Sequence, residues 1–392
     1  MALRWRVLAL LFLVRTTMAF QFQAVGALSP TFQQDFGVGI ADIGLLIGLF
    51  FAPGMFLAIP GGALGRRFGA KRVVLLGLAL MTGGGVLMAA SDLWAGQIAG
   101  RLTAGVGGIL LNVMMTKMVA DWFLGKEISF SLAVFVMSWP VGIAVALIVL
   151  PMLGLAYGLT LTLTAIAAMA GAGLLAMALL YRSPPGAAEA EVSNARSGRV
   201  RGALLGAVVA AGAIWGVYNG ALSVVFSFGP DLFVARGLSL AAAGATTSII
   251  LWLLAAMGAV AGYLVDWSGR RYLILAAGNL SFALFVLIGS WTDQVLLNVI
   301  AMGAVSGVAV GAMMSLPALV LPPEARALGM GIFFSVFYLF QMTGPIAAGW
   351  LGAVTGDVAT TFVFAAALLV LSVAILPVYH RLAMKVRRQA PA

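Results

Sequence analysis

The feature that most constrains this chain is a succession of twelve apolar runs, each about 20 residues long, separated by short polar connections. A helix rises about 1.5 Å per residue, so each run matches a hydrocarbon core about 30 Å thick. The predicted spans are 7–28, 43–64, 73–90, 93–115, 128–150, 158–181, 203–227, 241–264, 272–290, 295–317, 328–350 and 358–379. Helices are required, because in lipid each segment must satisfy its own backbone hydrogen bonds, and the runs lack the two-residue alternation of barrel strands. Only 9% of the 392 residues are charged and 63% are hydrophobic, whereas a soluble domain carries roughly a quarter charged residues. An all-α integral membrane protein is expected. The first run follows Arg4-Trp5-Arg6 as a secretory signal would, yet Arg15 interrupts it and the apolar pattern continues to Leu28, so a retained span is expected.

The formal charge of +10 does not point to nucleic acid, because the cations sit between the spans. Nineteen of the 22 lysines and arginines fall in connections on one side, Arg236 falls on the other, and Arg15 and Arg101 lie within spans. The positive-inside rule then predicts that both termini face the cytoplasm of a cell whose inner membrane the chain crosses. The longest polar connection, 182–201, contains Pro184-Pro185-Gly186 and reads as a flexible linker. It divides the chain into six-span halves, 1–181 and 202–392. There is no cysteine, which excludes disulfides, thiolate metal sites and cysteine nucleophiles.

The halves repeat. At an offset of 200 residues Pro30 aligns with Pro230, Gly62 with Gly262, Leu64 with Leu264 and Gly69 with Gly269. Parallel repeats related by an axis along the membrane normal suit a carrier that works by alternating access. Gly262-Tyr263-Leu264-Val265-Asp266-Trp267-Ser268-Gly269-Arg270-Arg271 resembles the signature loop of the major facilitator superfamily. The segment Gly62 to Arg72 resembles its first-half copy, with Arg66 standing where the family usually has aspartate. Arg101, followed by Gly105, Gly107 and Gly108, resembles the family's intramembrane arginine motif. The resemblance implies two pseudo-twofold-related six-helix bundles. It also implies gating or structural roles for Gly62, Gly69, Arg66, Asp266, Gly269 and Arg270, and it leaves the first-half latch in question at Arg66.

All twelve acids lie at span ends or in connections. A carboxylate within the bilayer is the usual proton carrier of drug antiporters, and none is found at that depth here. His380, the one histidine, sits at the end of the last span. Arg15 lies near mid-depth of the first span, where a guanidinium costs at least about 2.5–3.5 kcal/mol on insertion scales. Two compensations are open: a bound anion or cavity water, or helix carbonyls and amide side chains. Under the repeat Arg15 maps to Trp215, and Phe22 lies two turns along the same face. Arg101 shares a face with Gly105, Gly108 and Asn112, a spacing that suits close helix packing. Further candidate donors are Gln21, Gln23, Trp139, Tyr218, Asn219, Tyr338 and Gln341, each equally able to satisfy a neighbouring helix.

With a net-cationic path and no acid at depth, the expected activity is transport of a small anion. The chain looks like the cyanate, nitrate/nitrite and oxalate/formate branches of the family, with Trp122 to Glu127 and Trp139-Pro140 most like the cyanate-permease-like group. A multidrug or cationic-solute exporter and a non-transporting sensor of the same fold remain as alternatives. A membrane enzyme has no evident acid–base or metal group to work with. The expected partners of a monomer are a small anionic substrate and the lipid bilayer, with no cofactor, metal or nucleic acid.

Overall fold

A computed structural model describes residues 3–123, 127–184 and 200–389, so most of the predicted linker, 185–199, lies outside the described residues. The described chain is helical throughout, and eleven helices or helix pairs in it are long and apolar enough to cross a membrane. In the first part, α1 is Leu3–Ala27, α2 Ser29–Phe36, α3 Ile40–Leu49, α4 Ala52–Phe68, α5 Ala70–Ala90, α6 Trp94–Trp122 and α7 Ile128–Leu180. In the second, α8 is Gly202–Ala235, α9 Leu240–Ser268, α10 Arg271–Gly289, α11 Val295–Ser306, α12 Val310–Ser315, α13 Arg326–Thr355 and α14 Ala359–Gln389.

Eleven candidates make twelve spans because α7 is two of them. Its 53 residues are interrupted at Gly158, whose φ of 77° and ψ of 174° are non-helical. The limbs fold back on each other, since both meet the same stretch of α1. A Cβ at Gly142 would touch Ala19 and Thr16, and one at Gly173 would lie 3.5 Å from Thr17 and 3.7 Å from Val14. The second span breaks instead between α3 and α4. Pro53 has no N–H for the Leu49 carbonyl and opens a new helix at its second position. The tenth span breaks similarly after Ser306, between α11 and α12.

The repeat extends beyond the aligned motif residues. Gly37 and Gly237, 200 apart, both take positive φ (63° and 89°), as do Gly69 and Gly269 (82° and 65°). At these turns a side chain would be strained, which is why glycine recurs there. Pro30 and Pro230 part company, the first opening α2 and the second lying inside the continuous helix α8.

Two compact units result: Met1–Gly37 with Leu49–Ala195, and Val38–Gly48 with Arg196–Ala392. In the first, Lys71 donates to the Ala178 and Tyr181 carbonyls at 2.9 and 2.8 Å, covering acceptors at the end of α7. Ion pairs Arg4–Glu127 (2.9 Å) and Lys117–Asp121 (2.7 Å) lie outside the apolar stretches. In the second, α3 crosses α13 at glycines, so that a Cβ at Gly44 would lie 3.0 Å from the Gly349 Cα. Contact this close needs residues without side chains, the usual solution where apolar lipid offers helices no hydrophobic drive to associate. Large apolar side chains such as Phe56, Leu155, Leu179 and Leu297 are exposed, the reverse of a soluble surface and suited to lipid.

Candidate functional site

In the first unit Arg15 stands on α1, 8% exposed, with its guanidinium between α6 and α7. Its Nε donates to Asn112 Oδ1 at 3.1 Å. One terminal nitrogen donates to the carbonyls of Phe135 (3.0 Å) and Val136 (3.2 Å) and to Ser138 Oγ (3.3 Å). The guanidinium carbon also lies 4.7 Å from the centre of the Phe135 ring. Pro140 explains why α7 has a carbonyl to offer. It sits four residues after Val136 and has no N–H, so the Val136 oxygen lacks its usual partner and can accept from Arg15. Ser138 turns its own hydroxyl proton back to the Phe135 carbonyl at 2.6 Å. Of the two compensations open to Arg15, the structure shows carbonyls and an amide. These four bonds, to two carbonyls, a hydroxyl and an amide oxygen, fix the orientation of the guanidinium.

Arg101 is fully buried on α6 and donates to the Gln21 and Phe22 carbonyls of α1 at 2.6 and 2.7 Å. Its guanidinium carbon lies 4.8 Å from the Phe50 ring and 5.5 Å from that of Phe22. Gly105, one turn on, receives the backbone of Phe50 at the α3–α4 break, and Gly108 meets the Phe50 ring and Met18. Phe22 belongs to this cluster, with ring centres 5.5, 4.8 and 5.4 Å from Phe50, Phe51 and Trp139. Gln21 gives its amide to the Met81 carbonyl at 2.7 Å. Asn112, expected with Arg101 from its spacing, is the residue that meets Arg15.

In the second unit Trp215 stacks on Tyr218 at 5.8 Å and on Phe337 at 6.2 Å, and Phe337 lies 4.9 Å from Tyr338. Four candidates are thereby gathered, since Asn219 bonds the Trp215 carbonyl at 2.8 Å. The buried Tyr218 hydroxyl donates to the Ser306 carbonyl at 2.7 Å, an acceptor left at the α11 end where the tenth span breaks. Gln341 is buried on α13, and its Oε1 accepts no hydrogen bond among the described residues. Asp231, expected at a span end, lies inside α8 and is 9% exposed, because that helix continues to Ala235.

Gly269 makes the left-handed turn that ends α9, and Arg270, beyond it, is exposed. The side chains of Arg66 and Asp266 lie outside the described residues, as does the surrounding of Gly62. On the lone-cation side, Arg236 donates to the Thr292 carbonyl at 2.8 Å. Desolvation lowers its pKa, with Asp293 and Asp357 opposing the shift.

The fold is shared with solved transporters. The chain superposes on a bacterial homolog of the human lysosomal transporter Spinster with a TM-score of 0.82 at 15% identity, covering 100% of this chain and 99% of that one. For the xylose transporter XylE of E. coli the TM-score is 0.79 at 12% identity, covering 95% of each chain. At such identities the likeness shows the fold alone. A 91-residue segment is 32% identical to the probable nitrate transporter NarT of Staphylococcus aureus (strain Newman), spanning 23% of this chain and 23% of that protein. The sequence profile of the Major Facilitator Superfamily matches residues 11–234 and 204–391. The chain belongs to the Major Facilitator Superfamily.

Proposed function

We propose that the chain carries a small anionic solute, an inorganic or organic oxyanion, across the cytoplasmic membrane by alternating access of residues 1–181 and 202–392 about the linker 182–201. The observation that carries this reading is Arg15, a buried cation within a predicted span, oriented by hydrogen bonds to Asn112 Oδ1, Ser138 Oγ and the Phe135 and Val136 carbonyls. An ionisable group within a span marks a functional site by default, and the planar fork of a guanidinium suits an oxyanion. No acid lies at comparable depth in the predicted spans, which disfavours the cation-exporter alternative. The partial likeness to a probable nitrate transporter supports the same choice.

In this reading Arg101, Gly105, Gly108 and the paired loops around Gly69 and Gly269 serve packing and gating. The Trp215–Tyr218–Tyr338 cluster, with Asn219 and Gln341, contributes the second half's share of the substrate path. Both termini face the cytoplasm, on the strength of the cation distribution. A thermal-shift screen of the purified protein against nitrate, nitrite, cyanate, formate, oxalate and a set of organic cations tests the proposal, because a ligand that binds the folded state alone raises its apparent stability. Stabilisation by one or more anions is expected. Stabilisation by cations alone would contradict it.

A further inference from the structure

We propose that the groove between α10 and α14 of the second unit holds an acyl chain of an ethanolamine phospholipid, whose zwitterionic headgroup meets Arg236, Asp293 and Asp357 at the groove's end. The inference is independent of the anion reading and concerns the second unit alone.

The groove has a volume of about 380 Å³ and is lined by apolar side chains, among them Leu280, Ala283 and Leu284 of α10 and Val363, Ala367 and Val370 of α14. Small residues between larger ones make the depression, with Ala283 buried at its floor and Leu280, Leu284 and Val370 exposed at its rims. Both walls lie inside apolar helices long enough to cross a membrane, so the groove opens to hydrocarbon and its occupant in a bilayer is aliphatic. At about 1.5 Å per residue it lies roughly 6–17 Å below Gly289, where α10 ends, and Ala359, where α14 begins. A hydrocarbon core about 30 Å thick gives each leaflet about 15 Å, so the groove belongs to one leaflet. A lipid chain lying in it brings its headgroup to those two helix ends. Trp291, exposed just beyond α10, suits the membrane interface there.

The charges at that end are mixed. Arg236, the residue after α8, donates to the Thr292 carbonyl at 2.8 Å. About one turn earlier Phe233 lies 6.5 Å from Phe362, beside the groove wall at Val363, so α8 delivers the guanidinium to this seam. Desolvation lowers the Arg236 pKa, and Asp293 and Asp357 are near enough to oppose that shift. No direct ion pair joins either acid to Arg236 among the described residues, and both acids are exposed. One cation with two acids suits a headgroup that carries both signs, its phosphate toward the guanidinium and its ammonium toward the carboxylates. The cluster is net negative, which disfavours a purely anionic headgroup. A primary ammonium donates three hydrogen bonds, whereas the quaternary ammonium of a choline lipid donates none.

The test is thermal stabilisation of the purified, delipidated full-length protein titrated with phosphatidylethanolamine, phosphatidylcholine and phosphatidylglycerol of identical dioleoyl chains. The parent is compared with Ala367→Phe and with the double variant Asp293→Asn/Asp357→Asn, each checked for a monodisperse folded peak. Ala367 is exposed, so a phenyl ring there fills the groove without entering the core. Asparagine at 357 keeps an oxygen for the Ala359 N–H, which Asp357 accepts at 2.8 Å. Phosphatidylethanolamine is expected to bind the parent roughly three- to tenfold more tightly than the other two lipids. Ala367→Phe is expected to lose that preference, and the double variant to bind phosphatidylethanolamine no better than phosphatidylcholine. Equal stabilisation by the three lipids, or by none, would overturn the proposal, as would a preference that survives in either variant. A dimer of the parent that Ala367→Phe dissociates would assign the groove to a second copy of the chain instead.

Discussion

Replacing Arg15 by lysine keeps the charge and removes the geometry, and the structure sets the size of the effect. The guanidinium spreads its bonds over two nitrogens, Nε toward α6 through Asn112 and a terminal nitrogen toward α7 through Phe135, Val136 and Ser138. A lysine ammonium is one atom at the end of a flexible stem, and it cannot face both helices from the position of either nitrogen. At least one charge-assisted hydrogen bond is lost, worth about 1.5–3 kcal/mol, together with much of the flat contact on Phe135. The fork that would hold an oxyanion through two parallel N–H bonds is lost as well. Arg15→Lys is therefore expected to weaken nitrate binding by about 10–100-fold while the protein stays folded and inserted. The assay is equilibrium binding by calorimetry or ligand-induced stabilisation, on protein whose monodispersity matches the parent. An affinity within about threefold of the parent would show that positive charge alone suffices, against the geometric argument.

Three further outcomes are expected. Gly105→Ala should destabilise by about 1–3 kcal/mol through overpacking, because its Cβ would lie 3.2 Å from the Phe50 Cα and closer still to the Phe50 carbonyl. Gly83→Ala on α5, with nothing within 4 Å of the new methyl, should be neutral or stabilising, and melting temperatures in the reverse order would contradict the packing described. Burial pushes the Tyr181 phenol up to about 12 from 10.0. The folded state then favours the neutral form, so this contribution is fully present below the unfolded value and is lost as pH rises through the folded one. Tyr181→Phe should flatten the fall in melting temperature over that alkaline range, and an unchanged profile would refute the assignment. For topology, cysteines introduced singly into this cysteine-free chain should react with impermeant reagent from the cytoplasmic side within 185–199 and from the opposite side at Asp92, and the reverse pattern would overturn the orientation.

Span number was legible because twenty-residue apolar runs have one reading in lipid, and the 150–158 boundary fell where α7 breaks at Gly158. The interruption of the second span was present in the sequence as Pro53, yet the uniform hydropathy of 43–64 hid it; the proline consumes a hydrogen bond without changing the apolar pattern. Arg15 stood out through its depth, and Pro140 through its missing N–H. What spacing could not show is that Arg15 meets the Val136 carbonyl that Pro140 leaves without a donor, because the pairing of α1 with α7 spans 121 positions and depends on helix packing. Asn112 illustrates the same limit. Its spacing places it on the Arg101 face of α6, and both side chains do reach α1, but the shared face does not say that Asn112 meets Arg15 while Arg101 meets the Gln21 and Phe22 carbonyls. Arg101 itself bonds the carbonyls of Gln21 and Phe22, and a backbone acceptor leaves no mark on residue identity.

Nitrate flux into liposomes reconstituted with the parent and with Arg15→Ala tests the central claim most directly, alongside nitrate-induced stabilisation of the same preparations. Removing the guanidinium leaves the Val136 carbonyl, already without a donor from Pro140, and Asn112 Oδ1 short of a partner, so a lower melting temperature is expected. The account predicts that Arg15→Ala nevertheless folds, inserts and reconstitutes, and shows neither nitrate stabilisation nor flux above empty liposomes. Arg15→Ala protein that is well folded and moves nitrate at the parent's rate would contradict it.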